Sequence, residues 1–370
     1  MATKIRWGIL GTAGIARKNW KAIFNTGNSV VSAVASRASD VSSRFIAECQ
    51  QEVPMPSIPA AFNTYEEMLA SKNVDAVYIP VPTGVRKEWV LRAAAARKHI
   101  VCEKPCAVTV ADLKEMIEVC RKNQVQFMDG VMFMHSARLK RLRETLDDRQ
   151  STGDLKRITS AFSYRAAPEF FSSNIRGDQR LEPHGCVGDL GWYCIRLALW
   201  AMNWQMPREV SGRILSQTEA NGERGSIITE FSGELIFADA VSSAFYCSFV
   251  AENQQWANLI GTQGYIQMND FVLPVAGSEV SFELHKYDFK VKGCDFRMEP
   301  RIQRIAVPEQ SHGHSDSQET NLFRNFAGQV LSGKLNEAWP EEALKTQTVM
   351  CACLEAARGS QNRLGKAGAR

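Results

Sequence analysis

The stretch "WGILGTAGIARKNW", residues 7–20, decides the fold of the first half of this 370-residue chain. An apolar strand ends there in a turn of small residues that opens a helix, with the fingerprint G-x-A-x-x-A at Gly11, Ala13 and Ala16. Small residues permit a tight turn, let a pyrophosphate approach the backbone and let the helix pack closely on the strand. The helix N-terminus also favours phosphate. We therefore assign dinucleotide contacts to the residues of this turn: Gly11, Thr12, Ala13, Gly14 and Ile15.

Short apolar runs alternate with helical stretches as far as residue 130. The predicted strands are "IRWGIL" (5–10), "SVVSAVAS" (29–36), "DAVYIP" (75–80), "HIVCE" (99–103) and "VQFMDG" (125–130). The predicted helices span 14–25, 38–50, 64–71, 85–97 and 109–123, with Thr64 and Thr109 as N-caps. Strict alternation with short links implies right-handed crossovers and a parallel sheet. Residues 1–130 are predicted to form a doubly wound α/β dinucleotide-binding domain of the Rossmann type.

The second half of the chain has a different pattern. Long β-like runs, such as "LKRITSAFSYR" and "GSIITEFSGELIFA", alternate apolar and polar residues, as strands buried on one face do. Helices are predicted near 188–201, 317–332 and 340–360. Residues 131–370 are therefore predicted to form an α+β domain with a large, mostly antiparallel sheet that leaves one face open. Such a face favours burial against a second copy, as a homodimer or homotetramer.

Composition and charge exclude several classes of function. A net charge of +4 with interleaved acids and bases argues against nucleic acid or a membrane surface as the main partner. The chain has no run of 18 apolar residues and no charged-then-apolar leader, so we expect a cytoplasmic protein without a membrane span. Ten cysteines without a CxxC pair predict free thiols and no metal site.

The end of the second strand indicates which dinucleotide binds. It reads "AVASRAS", with Ser36 and Arg37 and no acid before Asp40. An acid there would bind the ribose 2′-hydroxyl of NAD, whereas a serine hydroxyl and a guanidinium fit the 2′-phosphate of NADP. We therefore predict NADP(H) as the cofactor. The alternative is a surface arginine in a turn.

Two further stretches carry candidate catalytic residues. "HIVCEKP" (99–105) ends a strand one residue before Lys104, and ligands of such sheets bind at the carboxyl ends of the strands. A lysine there can stabilise charge on a reacting oxygen. In "GDLGWY" (188–193), Asp189 and Tyr193 are four residues apart on a helix, and a tyrosine can exchange a proton with that oxygen. The alternatives are a solvated turn lysine, an N-cap aspartate and a core aromatic.

These motifs together resemble the Gfo/Idh/MocA oxidoreductases. The resemblance covers nearly the whole chain and rests on "GILGTAGIA", "ASR", "DAVYIPVPT", "HIVCEKP" and "GDLGWY" in the family's order. It is greatest with the branch of glucose–fructose oxidoreductase, dimeric dihydrodiol dehydrogenase and D-xylose dehydrogenase. These motifs are specific for fold and cofactor class and much less so for substrate.

The resemblance implies an NADP-dependent dehydrogenase that acts on a sugar, polyol or cyclic diol. Lys104 matches the family's catalytic lysine, whose bond to the following proline is often cis, and Glu103 matches the residue beside the nicotinamide ribose. Tyr193 matches the proton donor or acceptor, with Asp189 one helical turn before it. Since the family includes a regulator that keeps the fold without the chemistry, a non-catalytic NADP-binding sensor is the alternative. The presence of these catalytic-type residues favours the enzyme.

One motif departs from the family, and the substrate contacts are the least defined. "PTGVRKEW" (82–89) replaces the usual "PNxxH", with Thr83 and Arg86 in place of asparagine and histidine. Pro82 and Thr83 are still predicted to contact the cofactor, whereas Arg86 would alter the turn or add a charge near the cleft. The candidate substrate residues lie in "VMFMHSARL" (131–139), "SYRAAPEF" and "EPHG": Phe133, His135, Arg138, Arg165 and His184. A packed core residue is the alternative for His135.

Overall fold

The computed structural model describes residues 4–219 and 222–367. The first elements are β1 (Ile5–Leu10), α1 (Gly14–Asn25), β2 (Ser29–Ala35), α2 (Ser39–Glu52), β3 (Ala60–Phe62), α3 (Tyr65–Ala70), β4 (Ala76–Ile79), α4 (Thr83–Ala95), β5 (His99–Cys102), α5 (Val110–Lys122) and β6 (Phe127–Asp129). They are followed by α6 (Ala137–Asp147), β7 (Leu155–Ser163), α7 (Phe170–Ser173), α8 (Trp192–Ala201), β8 (Glu209–Gln217), β9 (Ile228–Ile236), β10 (Ser242–Ser248), β11 (Gln254–Gly261), β12 (Tyr265–Met268), β13 (Glu279–Lys292), β14 (Asp295–Pro308), α9 (Gln318–Leu331) and α10 (Ala338–Ala367).

Six parallel strands form the first sheet, in the order β3-β2-β1-β4-β5-β6. This is the predicted doubly wound α/β fold. Thr64 and Thr109 cap α3 and α5 as predicted, because each hydroxyl accepts a hydrogen bond from the N–H three residues on. Such a cap stabilises a helix by about 1 kcal/mol. The sequence analysis did not predict β3, which is an edge strand of three residues.

The unit that contains this sheet extends beyond the predicted boundary after residue 130. It comprises residues up to 135, together with 180–183 and 310–347. The late segment belongs to it because α9 buries Phe323 and Phe326 against Trp7 of β1, with ring centroids 5.2 and 5.3 Å apart. A helix was predicted near 317–332, but not the surface that it covers.

The second unit comprises residues 136–179, 184–309 and 348 onward. Its eight strands have the order β14-β13-β12-β11-β7-β10-β9-β8, and only β7 and β10 run parallel. The predicted mostly antiparallel sheet is confirmed. The segment "WANLIGTQGYIQM" (256–268) contributes to two strands, β11 and β12. The helix predicted from residue 188 begins as a π-helical turn, Val187–Gly191, before α8.

A hairpin of two 14-residue strands, β13 and β14, forms one edge of this sheet. The sequence analysis did not assign it, because charged residues interrupt its apolar ones. None of the helices within residues 4–219 and 222–367 combines the length and the apolar composition needed to cross a lipid bilayer. The same ranges contain no group of three or more His, Cys, Asp or Glu side chains that could hold a metal ion.

Candidate active site

The turn between β1 and α1 has the geometry of an anion site. Gly11 has a φ of +94°, which favours glycine, and its N–H donates to the carbonyl of Ala35 at 2.8 Å. A Cβ built on Gly11 would lie 3.3 Å from the Tyr65 hydroxyl. The N-cap of α1 is Ala13, whose side chain makes no capping bond, and the first turn holds no acid. The N–H groups and positive dipole end of α1 therefore fit the pyrophosphate of a dinucleotide.

The end of β2 fits a phosphorylated ribose better than a free one. Ser36 is buried and its Oγ accepts a hydrogen bond from the Ala38 N–H at 3.5 Å, while Arg37 is exposed beside it. The nearest acid along the chain, Asp40, is exposed and pairs with Arg44 at 2.5 Å. This end of the sheet thus holds a hydroxyl and a guanidinium at neighbouring positions, and the nearby carboxylate of Asp40 already has a cation as partner. Contact of Ser36 and Arg37 with a cofactor remains a prediction.

Tyr65 is a residue of this region that the sequence analysis missed. Its hydroxyl lies near Gly11, and its ring packs edge-on against Trp89 with centroids 4.6 Å apart. Burial raises the pKa of the Tyr65 hydroxyl, and the charge of Arg37 offsets part of that rise. The hydroxyl therefore stays protonated and can donate a hydrogen bond. The available signal was an aromatic residue directly after the cap Thr64, on a helix that leads away from the nucleotide end of the sheet.

The turn after β5 holds Glu103 and Lys104 in defined positions. The Lys104–Pro105 bond is cis, as the resemblance implied. The carboxylate of Glu103 accepts a 2.6 Å bond from the Tyr78 hydroxyl on one oxygen and a 3.3 Å bond from the Lys104 N–H on the other. A Cβ on Gly130 would lie 3.0 Å from the same carboxylate, so the glycine leaves room for it.

Tyr78 is the second residue that the sequence analysis missed, since it reads as one apolar position of β4. It is fully buried, and burial together with the Glu103 carboxylate raises the pKa of its hydroxyl well above the usual range. Tyr78 therefore remains a hydrogen-bond donor at every working pH and fixes Glu103. A tyrosine hydroxyl in an otherwise apolar buried strand was the available signal, because such a group needs a partner.

Thr83 makes two hydrogen bonds to an acidic side chain of the same unit. It is 1% exposed, and its hydroxyl donates to Glu182 Oε2 at 2.6 Å while its N–H donates to Glu182 Oε1 at 3.2 Å. Pro82 precedes it as the N-cap of α4. The contacts of Pro82 and Thr83 with a cofactor remain predictions. Glu182, which the sequence analysis did not single out, satisfies donors at the first turn of α4.

In the second unit, Asp189 lies in the π-helical turn and Tyr193 in α8. Arg176 donates from Nε and Nη2 to the two carboxylate oxygens of Asp189, at 2.8 and 3.3 Å. Tyr193 is 7% exposed and packs edge-on against Phe162, with centroids 5.5 Å apart. Bidentate pairing orients the carboxylate of Asp189. Arg176 was missed because nothing in the local pattern relates it to a residue 13 positions later.

Two of the predicted substrate residues lie in the 3₁₀ turn Met132–His135 of the first unit. Phe133 is 2% exposed. His135 Nδ1 is 3.1 Å from the Asn325 side-chain nitrogen, and its ring lies edge-on to Trp339. His135 is partly exposed rather than a core residue. Contact with a substrate remains a prediction for both residues.

The other substrate candidates lie in the second unit. Arg138 is 2% exposed, and its guanidinium pairs with Asp270 at 2.6 Å and also bonds the backbone carbonyls of Asp270 and Ser281. Its prediction as a substrate residue is therefore wrong, because a buried guanidinium that pairs with an internal carboxylate and bonds backbone carbonyls has a structural role. Arg165 is exposed just beyond β7, and His184 is buried. Substrate contact by these two residues remains a prediction.

Two family models match the chain. The first, described as "Oxidoreductase family, NAD-binding Rossmann fold", matches residues 5–131. The second, the GFO/IDH/MocA C-terminal domain, matches residues 139–267. Together the two matches cover more than half of the chain and follow one another in the order of its two sheets.

Several curated proteins are similar over most of their length. D-xylose 1-dehydrogenase (NADP(+)) 2 of Haloferax volcanii is 28% identical over 281 residues, which are 75% of this chain and 80% of the relative. Trans-1,2-dihydrobenzene-1,2-diol dehydrogenase of Xenopus laevis is 27% identical over 77% of this chain and 82% of its own. Among solved structures, a 3-ketoreductase from Actinomadura kijaniata in complex with NADP and TDP-benzene superposes with a TM-score of 0.80 at 23% identity, over 96% of this chain and 98% of that one. The last likeness shows a shared fold.

Proposed function

Because the chain belongs to the GFO/IDH/MocA oxidoreductase family, we propose that it interconverts a secondary alcohol and its carbonyl in a sugar, polyol or cyclic diol. The relatives named above act on substrates of this kind. NADP(H), when bound, supplies or accepts the hydride. The turn of Gly11 and the helix N-terminus of α1 would hold its pyrophosphate, and Ser36 and Arg37 would hold its 2′-phosphate.

The turn after β5 is the observation that carries this proposal. It delivers Lys104 at the carboxyl end of the sheet, where ligands of such folds bind, and it fixes Glu103 through the 2.6 Å bond from Tyr78. In this proposal the ammonium of Lys104 hydrogen-bonds the reacting oxygen and stabilises negative charge that develops on it. Glu103 lies beside the cofactor ribose.

Proton exchange is assigned to Tyr193. Its phenol can give a proton to the alkoxide formed in carbonyl reduction, and its phenolate can take the hydroxyl proton in alcohol oxidation. The carboxylate of Asp189 is oriented by the two bonds from Arg176. It supports this exchange by placing a negative charge in a fixed position one helical turn before Tyr193. Burial of Tyr193 against Phe162 limits the competing access of water.

A substrate panel tests this proposal. We expect NADPH to form when aldoses, polyols and trans-diols are offered with NADP⁺ at mildly alkaline pH, because loss of the hydroxyl proton favours oxidation. The measurement is the absorbance of NADPH. Tight NADPH binding without turnover of any compound in either direction would contradict the enzyme and favour the non-catalytic sensor.

Cofactor choice gives a separate prediction. Replacing Arg37 by serine should weaken NADP⁺ binding by about 10- to 100-fold, the value of a hydrogen bond between charged groups, and should leave NAD⁺ binding nearly unchanged. Dissociation constants from quenching of protein fluorescence measure both. Arg121→Ser is the matched control, because Arg121 is an exposed arginine of α5 that pairs with Glu337. Equal weakening of both cofactors by Arg37→Ser would contradict the assignment of the 2′-phosphate.

The proposal extends to assembly through the hairpin of β13 and β14. Registered pairs such as Phe289 with Met298 and Val291 with Phe296 place a row of apolar side chains on one face. This row is 46–73% exposed: Tyr287, Phe289, Val291, Phe296, Met298 and Ile302. The opposite face carries ion pairs, for example Lys290 with Glu299 at 2.5 Å. An exposed apolar row on an antiparallel hairpin is self-complementary, so we assign it to a second copy of the chain.

Charges on the apolar face should separate the subunits. We expect Phe289→Asp combined with Met298→Lys to convert a dimer or tetramer to a monomer at micromolar concentration, because charged side chains would have to be desolvated in the interface. Light scattering measures the mass. The double variant Lys290→Glu, Glu299→Lys is the control, since it alters only the opposite face. A monomeric wild-type protein would contradict this assignment.

A further inference from the structure

Arg86 is buried beneath the catalytic turn rather than exposed at a cleft. It is the fourth residue of α4 and is 3% exposed. Its Nε and Nη2 donate to the Val81 carbonyl at 3.0 and 2.6 Å, and its Nη1 donates to the Pro105 carbonyl and to Thr83 Oγ1, the latter at 3.2 Å. Burial of a guanidinium is costly unless its N–H groups find acceptors. Every nitrogen of this guanidinium has one.

These acceptors join two turns of the sheet edge. Val81 lies just after β4, and Pro105 directly follows Lys104. Proline has no backbone N–H, so its carbonyl is the only strong backbone hydrogen-bonding group at that position. Arg86 donates a hydrogen bond to this carbonyl. On the other side of Lys104, the Tyr78 hydroxyl donates to the carboxylate of Glu103. The backbone around Lys104 is therefore held on both sides.

A carboxylate completes the network. The Thr83 hydroxyl accepts from Arg86 and donates to Glu182 Oε2 at 2.6 Å. The segment 180–183 lies close against α4 here, since the Gly84 N–H donates to the Leu181 carbonyl at 2.9 Å. A Cβ on Gly84 would lie 2.0 Å from the carbonyl of Arg180, so only glycine admits this segment. Glu182 thus supplies a counter-charge to the buried guanidinium through one hydroxyl.

We propose that Arg86 is a positioning residue that holds the Lys104–Pro105 turn in its reactive place, secured by Glu182 through Thr83. This inference rests on the proposed function, in which Lys104 contacts the reacting oxygen. An arginine keeps its charge over the whole working pH range, whereas a histidine, the usual family residue at this position, loses its proton near a pKa of about 6.5.

The test compares Arg86→Met, Arg86→Lys and Arg86→His with the control Lys87→Met. Lys87 is the next residue of α4 but pairs on the outer surface with Asp112 and Glu115. We expect Arg86→Met to lower kcat by about 10- to 100-fold, as misplaced catalytic groups do, with KM for NADP⁺ and NADPH affinity nearly unchanged. Arg86→Lys should recover part of kcat, and the control should behave as wild type.

The histidine variant adds a pH readout. A protonated imidazole donates from both nitrogens and carries charge, whereas the neutral ring donates from one. The kcat of Arg86→His should therefore fall as pH rises through the histidine pKa. Dividing it by the kcat of wild type at each pH separates this step from the pH dependence of the reaction itself. A purely structural role would lower kcat, NADPH affinity and melting temperature together, with no such step, and this result would overturn the inference.

Lysine labelling provides a readout that needs no turnover. Acylation of the unliganded protein by an N-hydroxysuccinimide ester, followed by peptide mass spectrometry, measures the reactivity of each lysine. Lys104 should be acylated several-fold faster in Arg86→Met than in wild type and Lys87→Met, because the released turn exposes its amine. Unchanged labelling of Lys104, or a wild-type kcat in Arg86→Met, would overturn the inference. An inactive wild-type protein whose Lys104 labelling still responds to Arg86 would contradict only the proposed function.

Discussion

Replacing Lys104 by alanine is expected to lower kcat for the best substrate of the panel by about 100- to 1,000-fold, the cost of removing one donor to a developing oxyanion. The ammonium is the group that would stabilise negative charge on the reacting oxygen, and alanine leaves that charge without a partner. NADPH affinity should change little, because the nucleotide contacts are assigned to the turn of Gly11 and to Ser36 and Arg37. Steady-state kinetics and NADPH titration measure the two effects separately.

Two further variants separate this role from general damage to the turn. Lys104→Met keeps most of the side-chain volume without the charge and should lose as much activity as Lys104→Ala. Lys114→Ala removes an exposed lysine of α5 and should have wild-type kinetics. Retention of most of the activity in Lys104→Met would contradict the assignment of Lys104 to the reacting oxygen.

Replacing Tyr193 by phenylalanine is expected to lower kcat by about 100- to 10,000-fold, the range for loss of a general acid or base. Phenylalanine preserves the packing against Phe162, so the melting temperature should stay close to that of wild type. The loss should be accompanied by disappearance of one ionisation from the pH profile of kcat. Kinetics across pH with the same substrate measure both.

Tyr164 provides the matched control for this variant. It belongs to the same unit, and burial together with the charge of Asp189 raises the pKa of its hydroxyl well above the usual range. Its ring packs against Phe170 and Phe249. We expect Tyr164→Phe to keep most of the activity. A larger loss of kcat in Tyr164→Phe than in Tyr193→Phe would assign the proton exchange to Tyr164 and contradict its assignment to Tyr193.

The first sheet was predictable because its strands are continuous apolar runs closed by clear caps. The residues around Gly11, the helix caps Thr64 and Thr109 and the end of β5 lie where the pattern placed them. Local chemistry determines each of these features: small residues for the turn, hydroxyls for the caps and an apolar strand before Lys104. Sequence patterns carry such information within about one helical turn or one strand.

The features that could not be predicted depend on contacts between distant segments. Arg138 reads as a helix residue near the domain boundary, yet it is buried on Asp270, 132 positions away. Arg176 bonds Asp189, and Arg86 bonds the carbonyl of Pro105 after Lys104. The periodicity of the sequence does not predict either partner. The hairpin of β13 and β14 was missed for another reason. From Tyr287 to Ile302 both of its faces are largely exposed, so the alternation there separates charged from apolar side chains without burying either face. The start of β13 buries Val280, Phe282 and Leu284.

The most direct test of the proposed hydride transfer follows a deuterium atom. A substrate found in the panel is labelled at the carbon that bears the reacting hydroxyl, and NADPH formed from NADP⁺ by the wild-type protein is analysed by mass spectrometry and proton NMR. We expect the deuterium to appear at C4 of the nicotinamide, on one face only, and to do so far more slowly with Lys104→Ala. Deuterium that stays in the sugar or exchanges with water, with NADPH unlabelled, would contradict hydride transfer as the reaction of this protein.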